Sequence, residues 1–317
     1  MISQHQMKLR FGVMMARPYA ILDVFTETPL EGNPLAVVLE AEGINSSDMQ
    51  RIAREFNLSE TVFVLPPENP AHTAKLRIFT PTKELPFAGH PTVGSAVYLA
   101  KRTLGEISEP SDIALLLEEN IGLVRTGVLV QPGKTGHATF TLPSKPTFVS
   151  PTTSRVLIAE ALSLHEEDIG FGKHKPAVYS AGNPFALVPL NSLDAVRHAK
   201  PDLRVWEKAF STGDAHDAYV YCQGGETGNT SFHARMFGPF DGMPEDPATG
   251  SAVAAFAGAI MDFEKPEDGH QTYIIEQGYE MGRPSNIMLE LDVEDGDLFA
   301  ARIGGSAIIV SEGKLYL

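Results

Sequence analysis

The octapeptide HPTVGSAV at 90–97 is spelled again as DPATGSAV at 246–253, with five of the eight positions identical and 156 residues between the copies. Two further matches run in the same order. GNPLAVV from Gly32 and GNPFALV from Gly182 agree at five of seven positions, 150 residues apart, and RIFTP from Arg77 and RMFGP from Arg235 share Arg, Phe and Pro, 158 residues apart. Three collinear matches at nearly one spacing mark a duplicated unit of roughly 150 residues. A chain of 317 residues holds two such units, each of ordinary domain size. Two copies are too few for a solenoid, so the duplication predicts a pseudo-twofold pair of similar domains with a cleft between them.

The rest of the chain is mostly strand. YAILDVFTETPLEGNPLAVVL reads as two strands around a Gly-Asn-Pro turn, and ETVFVL, KLRIFTP, DIALLLEENIGLVRTGVLV, HATFTLP, AVYSAGNPFALVPL, DAYVYCQ, FHARMF and the last forty or so residues read likewise. SSDMQRIAREFN predicts a surface helix capped by Ser or Asp, SRVLIAEALSL a second, and SLDAVRHAKPDLRVWEKAF a third. The segment HEEDIGFGKH reads as a charged, solvated loop and CQGGETGNTS as a turn between strands. Patterned sequence begins near Tyr19, so Met15 is a candidate start and 1–14 is expected to be a disordered extension. The expected domains are 15–128 with 299–317, and 129–298.

The formal net charge is −15, with no basic stripe to offset it. Nucleic acid and anionic membrane surfaces are therefore not expected as partners. No apolar run approaches the ~20 residues that span a bilayer, and the cytoplasm is the expected compartment. The single cysteine, Cys222, sits in the apolar strand YVYCQ and reads as a buried core thiol. The ten histidines show no metal-ligand spacing, so no metal is expected.

Each octamer opens with a polar residue followed by proline, as a helix start does. That predicts His90 and Asp246 as N-caps. After the proline both helices are apolar nearly all round: Ala252, Val253, Ala254, Ala255, Phe256, Ala257 and Ala259 leave no polar face. Such a helix is buried on every side, and with so many strands around it the expected picture is a helix wrapped by a curved sheet. Its first-turn N–H groups lack intrahelical acceptors and carry the positive end of the dipole, which suits an anion. Gly94 and Gly250 are expected to let a ligand approach the backbone, with Ser95 and Ser251 adding hydroxyls. Read alone, Asp246 is equally an N-cap worth ~1 kcal/mol. Glu60 heads an apolar strand, where no helix dipole lowers its pKa and partial burial raises it, as suits proton transfer. Read alone, it is equally a solvated strand end.

These segments, DVFTETPLEGNPLAVVL, NLSETVFV, FTPTKELPFAGHPTVGSA, GNPFALV and EDPATGSAVAA, run in order from Asp23 to Gly258. Together they resemble the phenazine-biosynthesis PhzF family, within the diaminopimelate epimerase-like fold. The resemblance implies an α+β fold of two similar domains, each a barrel-like mixed sheet around a central helix, with the active site between them, and a homodimer. It implies Glu60 of the SET motif as the acid/base, with His90 of GHPT and Asp246 and Ser251 of DPATGSA as its companions. Gly89, Thr249 and Gly250 are the expected substrate-binding positions.

The implied activity is a cofactor-independent isomerisation that moves a proton and a double bond within a small cyclic carboxylate. Related racemases use two cysteines, one per domain, and a chain with one cysteine outside both motifs cannot do so. Epimerisation by a different acid/base pair and binding of a small carboxylate without chemistry stay open.

Overall fold

The computed structural model describes residues 16–133, 135–211, 214–240 and 243–317. The expectation of a disordered extension at 1–14 falls outside the described residues.

The first half lays down β1 (Ala16–Val24), β2 (Asn33–Val38), helix α1 (Ser46–Phe56), β3 (Glu60–Leu65), β4 (Ala74–Phe79), the two-residue β5 (Glu84–Leu85), helix α2 (Gly89–Leu104), β6 (Ser111–Glu119), β7 (Gly122–Val130) and β8 (Thr135–Thr141). The second half follows with β9 (Thr147–Pro151), α3 (Arg155–Ala161), β10 (Ala177–Ser180), β11 (Pro184–Pro189), α4 (Leu193–His198), α5 (Leu203–Ala209), β12 (Ala218–Gln223), β13 (Phe232–Gly238), β14 (Met243–Asp246), α6 (Gly250–Phe263), β15 (Gly269–Gln277), β16 (Ser285–Glu294) and the long β17 (Asp297–Tyr316).

Pairing repeats between the halves. β2 runs parallel to β3, β3 antiparallel to β4, and β4 parallel to β6. In the second half β11 runs parallel to β12, β12 antiparallel to β13, and β13 parallel to β15. Hairpins β6–β7–β8 and β15–β16–β17 then continue each ladder. β17 serves both halves: its first residues pair with β16, 302–308 pair with β8, and 307–316 pair with β1. With β1 also on β2, the ladder of the first half closes into a barrel. In the second half the Leu142 N–H donates to the Ala301 carbonyl (2.9 Å), drawing the chain ahead of β9 onto the start of β17.

The strands of each half enclose one helix. Every residue of α2 from Gly89 to Tyr98 is buried, and α6 is buried from Ala252 to Ile260. A helix with no polar face has no other stable place. The octamers start these helices, but not as the proline rule predicts. The residue capping α2 is Ala88, whose carbonyl accepts from the Thr92 N–H, so His90 lies inside the first turn. The residue capping α6 is Thr249, whose carbonyl accepts from Ala252 and Val253. Asp246 instead ends β14, paired with Met236, and Pro247 belongs to the turn that follows.

Other local expectations shift for plain reasons. The cap of α1 is Asn45, whose side chain accepts from the Asp48 N–H, rather than Ser or Asp. The third predicted helix is two, α4 and α5, split ahead of Pro201, which disfavours helix in the residue before it. HEEDIGFGKH is not wholly solvated: His174 is buried, stacked on Phe171, and bonded to the Tyr221 hydroxyl (2.9 Å) and to Glu264 (2.7 Å). Cys222 is buried as expected, and burial pushes its thiol up to about 11. Among the described residues no helix is long and apolar enough to cross a membrane.

The two helix starts meet. A Cβ added to Gly89 would lie 3.0 Å from the Gly250 Cα, and one added to Gly250 would lie 3.2 Å from the Gly89 Cα. Backbone on both sides leaves nothing soft to move. Gly250→Ala and Gly89→Ala are therefore each expected to lower unfolding free energy by about 1–3 kcal/mol in urea titrations. Gly127→Ala, at an exposed site with open space around it, should change it by under about 0.5 kcal/mol. Equal, small effects at all three positions would show that the glycine contact does not constrain the helices.

Candidate active site

Helix α1 ends at Asn57 in the left-handed conformation (φ 51°), which turns the chain so that Leu58 and Ser59 lead into β3. β3 then begins at Glu60, in parallel register with Leu35 of β2. Glu60 is thereby carried to the first turn of α2. Its Oε2 lies 3.3 Å from Nε2 of His90. The two atoms are not aligned as a hydrogen bond, and both are buried with no hydrogen-bond partner among the described residues. Burial, followed by the nearby Asp246 carboxylate, raises the Glu60 pKa well above the ordinary value. Burial alone lowers His90 to about 3, so its imidazole is neutral at neutral pH.

Asp246 reaches the same place from the second half. Its Oδ2 accepts from the Thr249 hydroxyl (2.6 Å), and its Oδ1 accepts from Asn33 Nδ2 (2.9 Å) and the Ser59 hydroxyl (3.4 Å). Asn33 and Ser59 belong to the first half, so these bonds cross between the barrels. Asn33 Nδ2 also donates to the Ala248 carbonyl (2.9 Å). Behind the carboxylate, Gln277 holds the turn: its Oε1 accepts from the Thr249 N–H, and its Nε2 donates to the Asp246 carbonyl (2.7 Å) and to the Thr249 hydroxyl (3.0 Å). Burial outweighs these donors and raises Asp246 to about 6. Two carboxyls with raised pKa values and one neutral imidazole therefore share a buried corner.

That corner opens into a cleft of about 600 Å³. Glu60, Asp246, Thr249 and Ser251 line it, with Lys83 of the β4–β5 turn and Phe185 of β11 further out. Arg283 also reaches it, but its guanidinium is braced on Asp23 and on the carbonyls of Gly32 and Glu31. Gly89 and Gly250 press on each other beside the cleft, so the N-termini of α2 and α6 converge there. Gly94 has a different role from the one its motif suggests: a Cβ there would strike Leu35 (2.6 Å) and Val24 (2.7 Å), so it fits the helix to the barrel wall and not to a ligand. Ser95 is fully buried in α2.

Sequence reasoning missed Asn33, Ser59 and Gln277. Asn33 lay in the duplicated GNP segment, which reads as a turn, and its counterpart Asn183 also lines the cleft. Ser59 precedes Glu60 directly. Gln277 carried no local signal. Among the described residues no group of His, Cys, Asp and Glu is arranged to hold a metal ion.

The model of the family described as "Phenazine biosynthesis-like protein" matches residues 22–313. The chain belongs to this family. It is 48% identical over 313 residues to an uncharacterized isomerase of Mesorhizobium japonicum, covering 96% of this chain and all of that protein. It is 35% identical over 300 residues to the trans-2,3-dihydro-3-hydroxyanthranilate isomerase of Pseudomonas aeruginosa, covering 94% of this chain and 99% of that one. The crystal structure of the Bacillus anthracis phenazine biosynthesis protein of the PhzF family superposes with a TM-score of 0.84 at 28% identity, over 96% of this chain and all of the other. The fold extends to a hydroxyproline epimerase of Agrobacterium vitis, TM-score 0.63 at 13% identity. The chain is a PhzF-family isomerase.

The electrostatics of this isomerase's cleft are open to measurement. Asp246 holds its proton more tightly in the folded state than in the unfolded one. It therefore opposes folding increasingly as pH rises from near 4 to about 6. Asp246→Asn removes that opposition. Its stability relative to wild type should rise across this window, by on the order of 2–3 kcal/mol, and stay level above it. Parallel stability curves from pH 4 to 7 would show that Asp246 titrates normally.

Proposed function

We propose that this PhzF-family isomerase moves a proton, and with it a carbon–carbon double bond, within a small cyclic carboxylate of the trans-2,3-dihydro-3-hydroxyanthranilate type. The observation that carries the reading is Glu60: a buried carboxyl of raised pKa, with one oxygen unpartnered, opening on the cleft beside two helix N-termini. The first-turn N–H groups around Gly89 and Gly250, with Thr249 and Ser251, receive the substrate carboxylate. Glu60 takes a proton from the ring carbon acidified by its neighbours. The C–H electron pair shifts into the conjugated system, and Glu60 returns the proton to another ring carbon, so charge and atoms balance. Burial brings the carboxyl's proton affinity closer to that of the carbon acid than an exposed glutamate could come.

His90, neutral, and Asp246 orient the substrate and stabilise charge as it develops. Such chemistry needs no group beyond these side chains. The reading includes two similar domains related by a pseudo-twofold axis, which the repeated pairing order supports. The proposed units are 15–128 with 299–317, and 129–298, with β8 of the second also pairing with β7 and β17. A homodimer in the cytoplasm completes it.

Ultraviolet absorbance should show conversion of trans-2,3-dihydro-3-hydroxyanthranilate by the wild type. Glu60→Gln, which keeps the shape and removes the base, should cut turnover by about 10³-fold or more while leaving binding within a fewfold. Turnover of Glu60→Gln near the wild-type rate would remove Glu60 as the base. No conversion by the wild type would remove this substrate. Deuterium entering an α-carbon with loss of optical rotation, on amino-acid substrates, would favour epimerisation instead.

A further inference from the structure

The two halves match in side-chain chemistry as well as in strand order, and one mismatch stands out. Glu118 near the end of β6 accepts the backbone N–H groups of Glu68 and Asn69 and faces His72 Nδ1 (2.7 Å). Glu276 near the end of β15, 158 residues later, accepts the N–H groups of Glu226 and Thr227 and faces His233 Nδ1 (3.1 Å). The next residue in each strand turns to the opposite face, toward the enclosed helix. In the second half it is Gln277, which secures the Thr249 turn where α6 begins. In the first half it is Glu119, whose Oε1 accepts from the hydroxyl of Thr92 (2.8 Å) in the first turn of α2. The same Thr92 hydroxyl also lies 2.8 Å from the Ala88 carbonyl, and its single proton serves only one of the two oxygens at a time. Glu119 is 6% exposed, and its Oε2 is buried without a partner.

We propose that Glu119 is a positioning residue for the active site: as an uncharged carboxylic acid it fills the place of the amide Gln277 and holds the α2 turn that carries Gly89 and His90. An ionised carboxylate in this position would be buried with one hydroxyl donor and no cation, a costly arrangement. The neighbouring groups supply no compensating charge. Glu118 points away toward His72, His90 on the same helix turn is neutral, and Glu84, held by Asn120 next in the chain, is already paired with Arg77. Burial accordingly raises Glu119 to about 8, against the smaller lowering effect of Thr92.

Glu119→Gln makes the first half like the second and should keep the site intact, whereas Glu119→Ala removes the support. The proposal rests on the isomerase reading only for its activity arm. With trans-2,3-dihydro-3-hydroxyanthranilate, Glu119→Gln should stay within about twofold of wild type at pH 7 and lose the activity decline that wild type shows as pH passes about 8. Glu119→Ala should fall about tenfold or more. Two arms need no substrate. A difference infrared spectrum of wild type minus Glu119→Gln at pH 7 should show a protonated carboxyl stretch. Amide hydrogen exchange at Thr92 and Val93 should quicken in Glu119→Ala and in Thr92→Val but not in Glu119→Gln.

A carboxylate band in the infrared difference would overturn the proposal, as would unchanged exchange in both Glu119→Ala and Thr92→Val. If no protein form turns over the substrate while the infrared and exchange results hold, the substrate assignment fails and the role of Glu119 stands.

Discussion

The contact on which this structure depends is between two glycines. The first turns of α2 and α6 approach until the backbone of Gly89 touches that of Gly250, where a Cβ on either side would fit only tightly. Two positive helix ends meeting head to head repel each other weakly. They are held there by what surrounds them: each helix is enclosed by the strands of its own half, and β17 is shared by both ladders. The result is a buried corner with an excess of hydrogen-bond donors. Such a corner favours negative charge, and three acidic side chains, Glu60, Glu119 and Asp246, lie within or against it.

The acids are kept from simple ionisation by burial, and their differing partners set them apart. Asp246 receives three side-chain donors and rises only to about 6. Glu119 has one donor and rises to about 8. Glu60 has none and lies beside Asp246 as well, so its pKa is pushed well up. The least satisfied of the three faces the cleft, beside Asp246, from the head of its strand. A buried polar atom left unpartnered in the folded protein leaves a place for a ligand atom to complete it.

Matching parts in the two halves frame the site. Arg77 grips Glu84 and lies over Phe79, and Arg235 grips Glu245 and lies over Phe237 in the same manner. These paired clamps brace the strand that leads toward each helix start. The halves differ where the chemistry differs: Glu60 and His90 come from the first, Asp246 and Ser251 from the second. The bonds from Asn33 and Ser59 to Asp246 tie the two contributions together.

Much of this was legible in the chain. The repeated octamer located both enclosed helices, because a segment without a polar face has to be surrounded. The repeated GNP and Arg-Phe-Pro segments located matching strands. Glu60, His90, Asp246 and Ser251 were legible as motif residues, and the structure brings Glu60, His90 and Asp246 into one corner with Ser251 on the adjoining cleft wall.

The helix caps were misread, since Pro91 and Pro247 tolerate several positions near a helix start and Asp246 had a strand and three donors competing for it. Gly94 was misread because close approach to a ligand and close approach to a neighbouring strand demand the same residue. Asn33, Gln277 and Glu119 lie far along the chain from the groups they touch, and no local pattern ties them together. Sequence by itself determined the two enclosed helices, the matching strands and the motif segments that line the cleft, because these follow from periodicity and repetition along the chain. Only the tertiary structure decided which glycine meets which and which carboxyl is left without a partner, because burial and long-range hydrogen bonding exist only once the barrels have closed.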